Sequence, residues 1–367
     1  MDLAFLTPLY ERPGPWASVY VEAPRQSEAT AGEQPVAAAG VARALASAGA
    51  DEATCEAVRE AVDDLHRARE PVGRALFAAH GEVALDLPLS KAPAASGDWA
   101  PLPRTTPLLD LVGEDPLCLV AYVDRKGADL ELRSARGESE AGSVSGRQWP
   151  VHRTATADWS ERHFQLRVEN TWEHNAGEIA RALTTSQAET RADLVMLVGD
   201  DRECAAVRDK LPKELQDRTM RARHGAGSRL LDVEVERARA EHVAYQAART
   251  MERFAAASGR EEGAVAGVPA LVDAAREHRV AQLLVRPEGP DAHREVWVGE
   301  EPDQLGVRRT DAAALGADAP VPARADDALM RCVAASGGAA LSVAATAPES
   351  GPVGGLGALL RWAEPGG

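Results

Sequence analysis

The chain has 367 residues, room for two or three domains at roughly 100–200 residues each. Hydrophobic residues make up 45%, as in a globular protein, but aromatics only 4%, so the core has to be filled by Leu, Val and Ala. A net charge of −16 excludes a uniformly basic nucleic-acid binder, because neutralising phosphates takes clustered Lys and Arg; contact with RNA would need a local basic face on an acidic body.

The first predicted unit covers residues 1–113. Ala17–Ala23 (ASVYVEA) reads as a strand and Pro35–Ala48 as an Ala-rich helix. Glu52–Ala79 reads as a longer helical stretch, with Val58, Val62, Leu65, Val72 and Leu76 near helical spacing and Pro71 kinking it. Gly81 follows as a stop, Glu82–Leu87 is a strand, and Lys91–Thr106, rich in Pro, Ala and Ser, is a loop.

The second unit covers residues 114–258. Leu117–Asp124 is a strong strand, and Ala128–Ser134 alternates as its hairpin partner. A Gly/Ser/Glu-rich linker, Arg136–Arg147, leads to a third strand, Gln148–Arg153. A long helix is predicted from about Asp158 to Leu183, with Phe164, Val168, Trp172, Ala176, Ile179 and Leu183 on its buried face. Ala192–Gly199 is a continuous apolar strand of the kind buried on both faces, followed by a helix over Asp201–Lys210 and another over Leu230–Ala257.

The third unit, residues 259–367, alternates a helix (Val268–His278), strands at Val280–Arg286 and Glu295–Gly299, a helix at Asp326–Ala335, a strand at Leu341–Ala345 and a closing strand over Gly355–Trp362. Strand and helix in alternation make the chain α/β.

Cys55, Cys118, Cys204 and Cys332 form no CxxC pair and read as buried free thiols, which implies a reducing cytoplasm. The opening MDLAFLTPLYERPGPW lacks a basic segment followed by a long apolar run, so no signal peptide is expected. No apolar run approaches the ~18 residues of a membrane span.

No P-loop, HExxH or GxSxG motif occurs. Gly351–Gly357 (GPVGGLG) precedes a strand rather than a helix, so tight backbone packing suits it better than phosphate binding. Asp200-Asp201 ends an apolar strand, where paired carboxylates can hold Mg²⁺; helix capping by Asp is the simpler use. Beside the buried face of the long helix runs a second stripe of His163, Arg167, His174 and Arg181. Arg153 and Arg162 lie before it or in its first turn, where a cation opposes the helix dipole, and RNA phosphate would give them a use. Trp159 offers a stacking face for a base or packs under its loop. Arg221–Arg229 (RARHGAGSR), with Arg221, Arg223, His224 and Arg229, is the most basic short run in the chain and reads as a phosphate-contacting or solvent loop.

The C-terminal pattern DDALMRCVAASGGAALSV, then Glu349-Ser350-Gly351 and Gly355–Trp362 (GLGALLRW), resembles the end of the Pelota and class-1 release-factor C-terminal domain. The central order of hairpin, third strand, loop, long helix and buried strand resembles the family's middle domain, and DWSERHFQLRVENTWEHNA is similar to the helix after its catalytic loop. The resemblance spans roughly residues 114–367 and points to the bacterial, Balon-like actinobacterial branch of the archaeo-eukaryotic release factors. It implies a three-domain architecture: a degenerate α/β N-terminal domain (1–113), a ribonuclease-H-like middle domain (114–258) and a Pelota-like α/β C-terminal domain (259–367).

The family's hydrolysis needs Gly-Gly-Gln in the loop before the long helix. The glycines let the backbone approach, and the Gln positions water. Here the corresponding stretch Arg153–Arg162 (RTATADWSER) has neither residue, and no Asn-Ile-Lys-Ser occurs for reading stop codons. The resemblance therefore implies a cytoplasmic factor that binds the ribosomal A site in hibernation or stress protection and does not cleave peptidyl-tRNA. Arg153, Trp159, Arg162, His163 and Arg167 would touch ribosomal RNA, with tRNA and elongation factor Tu as further partners, and no metal, cofactor or membrane is implied. The alternatives are a peptidyl-tRNA hydrolase or rescue factor using Gln165, Asp158 or His163 to position water, and a nucleotide- or metal-binding module built on Asp200 and Asp201.

Overall fold

The computed structural model describes residues 1–23, 34–65, 72–124, 127–134, 164–167, 172–225, 227–260, 262–343 and 351–362. They form two compact units, one of Met1–Gly113 together with Ala247–Gly367, the other of Glu114–Gln246. Among the described residues no helix is long and apolar enough to cross a membrane.

The first segment runs α1 (Thr7–Tyr10), β1 (Trp16–Glu22), α2 (Gln34–Ser47), α3 (Glu52–Asp64), β2 (Gly73–Ala79), β3 (Glu82–Leu89), β4 (Ser96–Ala100) and α4 (Leu108–Leu111). Its strands form an antiparallel sheet in the order β3-β2-β1-β4. Strand alternation splits β1 between two cores. Ala17, Val19 and Val21 meet Leu45, Val58 and Val62 of α2 and α3, whereas Trp16 and Tyr20 enter a larger core on the other face. Asp51 caps α3 by accepting the Thr54 N–H at 2.9 Å.

Two expectations fail in this segment. The helix predicted to reach Ala79 ends at Asp64, and Gly73–Ala79 is a strand. Val72 and Leu76 have helical spacing, but β2 is hydrogen-bonded on both sides, to β1 and β3, and buries Ala75, Leu76, Phe77 and Ala78 completely. Burial on both faces of a central strand outweighs a weak local periodicity. The stretch read as a loop over Lys91–Thr106 contains β4, an edge strand whose polar sequence (SGDWA) carries little strand signal.

The central unit runs β5 (Cys118–Asp124), β6 (Gly127–Arg133), β7 (Phe164–Arg167), α5 (Trp172–Thr190), β8 (Leu194–Val198), α6 (Asp201–Lys210), α7 (Lys213–Gln216), β9 (Thr219–Arg221) and α8 (Arg229–Gly259), the last of which continues into the other unit's sequence. The sheet order is β7-β6-β5-β8-β9; β6 is antiparallel to both neighbours, while β5, β8 and β9 are parallel. This is the ribonuclease-H-like layout, with helices on both faces. Ala176, Ile179 and Leu183 of α5 and Cys204 and Val207 of α6 cover Leu119, Ala121, Val195 and Leu197. Leu231, Val235 and Ala238 of α8 cover Val120, Met196 and Val198.

The predicted helix from Asp158 is also corrected. Phe164–Arg167 is β7, paired to β6 in the register Gly127↔Arg167 and Asp129↔Gln165, and the helix begins at Trp172. The proposed stripe of His163, Arg167, His174 and Arg181 therefore does not lie on one helix. Backbone pairing with a preformed hairpin supplies the hydrogen bonds that a frayed helix start would leave open. The predicted strand Gln148–Arg153 lies outside the described residues.

The last segment runs β10 (Ala264–Ala266), α9 (Val268–Arg276), β11 (Val280–Val285), β12 (Glu295–Val298), β13 (Leu305–Gly306), α10 (Arg309–Ala314), β14 (Val321–Arg324), α11 (Ala325–Ala335), β15 (Ala339–Ser342) and β16 (Leu356–Leu360). One sheet is ordered β10-β16-β11-β15, with β11 and β15 parallel, and a small antiparallel one β13-β12-β14. Leu271 of α9, Leu283 of β11 and Leu329 and Val333 of α11 share one core with Leu3, Leu6, Trp16 and Phe77 of the first segment.

Because α11 is buried almost all round, its acids must be paired. Arg104 donates to Asp326 (2.7 Å) and Asp327 (3.0 Å), and Arg324 donates twice to Asp326 (2.9 and 3.1 Å). The second Asp327 oxygen accepts from the Thr105 N–H (3.0 Å), the Thr106 N–H (3.3 Å) and the Thr106 hydroxyl (3.0 Å). The buried Tyr20 hydroxyl donates to the Arg104 carbonyl, and Ser18 Oγ accepts the Arg104 N–H at 2.8 Å.

The Gly-rich stretch before β16 is a close-packing device. Gly354 and Gly355 have φ of 77° and 94°, and a Cβ on Gly355 would lie 2.7 Å from the Gly289 Cα. A Cβ on Gly357 would lie 2.7 Å from Pro352 Cβ.

Candidate functional site

The most basic run of the sequence lies at the carboxyl edge of the central sheet, where open α/β sheets expose their loops. β9 ends at Arg221, and the Ala222 N–H donates to the Leu197 carbonyl at 2.8 Å, with the Ala222 side chain buried. The chain then turns outward through Arg223 and His224 and re-enters α8 at Arg229. The start of α8 is tied back by Ser228, whose hydroxyl and carbonyl oxygens accept the Leu230 (3.3 Å) and Leu231 (2.9 Å) N–H groups.

Glu234, one turn into α8 and 8% exposed, organises this loop. Both its carboxylate oxygens lie 3.0 Å from the Arg223 N–H, and one lies 3.0 Å from His224 Nδ1. Burial works against the charge of Glu234, but the His224 hydrogen bond and the backbone N–H groups of Arg223 and His224 outweigh it and hold the carboxyl below its ordinary range. With Nδ1 engaged on a carboxylate, the half-exposed imidazole turns Nε2 away from Glu234.

The structure brings Arg221, Arg223, His224 and Arg229 to one edge. All three arginines are exposed, and Arg221 is paired with Asp201. Asp200 caps α6, accepting the Arg202 N–H at 2.9 Å. The two carboxylates thus serve a cap and an ion pair, and among the described residues no group of three or more His, Cys, Asp or Glu is placed to hold a metal ion. Arg153, Asp158, Trp159, Arg162 and His163 lie outside the described residues. Gln165 and Arg167 lie on β7, four and six residues into the chain after Glu161 rather than inside a helix.

Sequence reasoning missed Glu234. It is one acid among several on a long helix, and only the turn of the chain back onto α8 sets it under the loop. It also missed a polar cluster on the α8 face of the sheet. There Tyr122 donates to the buried Glu131 (2.6 Å), Arg133 donates to Glu131 (2.6 Å) and to the Tyr122 hydroxyl oxygen (2.8 Å), and Arg133 reaches Asp232 of α8 (2.6 Å). Burial, the Glu131 hydrogen bond and the Glu131 charge all raise the Tyr122 hydroxyl above its ordinary value, so it remains protonated.

The central unit is thus a five-stranded sheet flanked by helices, with its basic loop at the carboxyl edge. Residues 117–260 match the model of bacterial archaeo-eukaryotic release factor family 2. Over 361 residues the chain is 28% identical to the uncharacterized protein Rv2629 of Mycobacterium tuberculosis, covering 95% of this chain and 94% of the relative. Among solved structures it is similar to Archaeoglobus fulgidus Pelota (14% identity, 80% of each chain, TM-score 0.37). It is also similar to S. cerevisiae Dom34, described as a translation termination-like factor (12% identity, 68% of this chain and 64% of that one, TM-score 0.35).

Proposed function

We propose that this protein binds the ribosome at the A site as a release-factor-like factor of hibernation or stress protection and does not cleave peptidyl-tRNA. The observation that carries the reading is a segment matching a release-factor family whose sequence has neither Gly nor Gln in Arg153–Arg162, before β7, nor in 168–171 (VENT), directly before the helix α5. Without a Gly pair the backbone cannot closely approach the ester, and without Gln no side chain of the family's type positions the attacking water.

Binding would rest on cations set against an acidic body. These are Arg153, Arg162, His163 and Arg167, with Trp159 for stacking, and the loop residues Arg221, Arg223, His224 and Arg229. Transfer RNA is a further partner, and elongation factor Tu would meet residues 259–367.

Sedimentation with purified ribosomes at graded salt tests this. Co-pelleting at low salt that falls steeply as salt rises is expected, and no co-pelleting at low salt with ribosomes from stressed cells refutes it. Peptide release from stalled ribosomes that Gln165→Ala abolishes would instead establish a hydrolase.

A further inference from the structure

We propose that Glu234 is a positioning residue that sets the Arg221–Arg229 loop as an RNA-backbone-binding site, in which the Arg223 guanidinium donates to a phosphodiester oxygen and His224 Nε2, with the ring proton held on Nδ1 by Glu234, accepts from a ribose 2′-hydroxyl. The proposal rests on the ribosome-binding reading and specifies how one of its surfaces works.

A basic loop with free backbone N–H groups would ordinarily receive an anion on those groups. Here an internal carboxylate already occupies them. The Glu234 oxygens take the Arg223 N–H at 3.0 Å and His224 Nδ1 at 3.0 Å, from a position 8% exposed to solvent. An external phosphate therefore has to be met by side chains. The same carboxylate fixes which side chains face out, since it anchors the backbone of Arg223 and one edge of the His224 ring.

Arg221, though exposed, is held by Asp201, and Arg223 and Arg229 are the loop's other exposed cations. Immediately after them Leu230 and Val233, three residues apart on one side of α8, are 56% and 65% exposed. Cations beside an exposed apolar pair suit a strand of RNA, which presents both phosphate and the flat faces of sugar and base.

The test uses the full chain, purified ribosomes and a short single-stranded oligouridylate. Arg223→Ala is expected to weaken oligouridylate binding about tenfold and to lower the slope of log affinity against log salt by about 1. His224→Gln should weaken it less. Lys213→Ala, which removes an exposed cation of α7 elsewhere in the same unit, should leave it unchanged. Glu234→Leu removes no cation but deletes both acceptor oxygens, so it should weaken binding and shift the His224 nitrogen resonances away from the Nδ1–H tautomer in ¹⁵N NMR. A general loss of stability would produce no such tautomer change.

The proposal is overturned if Arg223→Ala and His224→Gln bind as the parent does, if Lys213→Ala loses as much as Arg223→Ala, or if the His224 tautomer is indifferent to Glu234→Leu. Intact ribosome pelleting with any of these outcomes sinks this site alone. Failure of the parent chain to pellet sinks the functional reading itself.

Discussion

Replacing Arg104 by Ala tests the buried charge cluster that ties the first segment to α11. The Asp326 side chain is fully buried, that of Asp327 is 5% exposed and that of Arg104 16%. Removing one partner of a buried ion pair costs roughly 3–5 kcal/mol, because the other charge stays behind uncompensated. Arg324 still donates to Asp326 at 2.9 and 3.1 Å, and Asp327 keeps its three donors from Thr105 and Thr106. The expected loss is therefore at the low end, about 3 kcal/mol. Burial raises the Asp327 carboxyl to about 6, with Asp326 adding to the rise and Arg104 opposing it.

Since the folded value lies above the ordinary 3.8, the folded state binds more protons between roughly pH 4 and 6. The stability this group contributes is complete below that window and is lost as the pH rises through the folded value. Without Arg104 the carboxyl moves higher still, so the cost of Arg104→Ala should be largest above about pH 7 and shrink towards about pH 5. Adding Asp327→Asn in the Arg104→Ala background should recover part of the loss, because it removes the stranded charge. Urea unfolding at both pH values measures the cost, and native-state hydrogen exchange of the α11 amides assigns it to the right unit. A cost below about 1 kcal/mol at neutral pH, or one that does not change on acidification, refutes the reasoning.

Two further outcomes follow from the packing. Gly355→Ala places a Cβ against the Gly289 backbone at a φ of 94° and should destabilise the protein by about 2 kcal/mol, read as a lower melting temperature; an unchanged melting temperature contradicts the close approach. Burial pushes the thiols of Cys118 and Cys332 up to about 12 and that of Cys204 to about 11, so Ellman's reagent at mildly alkaline pH should label none of the three until urea unfolds the chain. Prompt labelling of the native protein would show that these cores are open.

What the sequence reveals depends on where the determining contacts lie. β5, β6, β8 and α6 fall within a few residues of their predicted bounds, because a continuous apolar run, a clean alternation or an Asp cap is local information. β2, β4 and β7 were hidden, since each is fixed by backbone pairing with strands that are distant or irregularly spaced in the chain. At the candidate site the cations are legible as a charge run. Their effective charge is not, because Asp201 and Glu234, which neutralise or position them, come from other elements. The shared core of the first and last segments has no sequence signature. It rests on partners such as Arg104 and Asp326, 222 residues apart.

That separation matters while the protein is being made. At roughly 5–20 residues per second, about 10–40 s pass between synthesis of Arg104 and of the aspartates that neutralise it. During this interval the emerging first segment can cover one face of its sheet with α2 and α3, but Trp16, Tyr20 and Phe77 on the other face lack the part of their core that α9, β11 and α11 supply. The central unit, contiguous in sequence, can meanwhile finish folding. Biogenesis thus leaves a sticky half-module waiting for its late-arriving complement, the circumstance in which a holding chaperone is most useful.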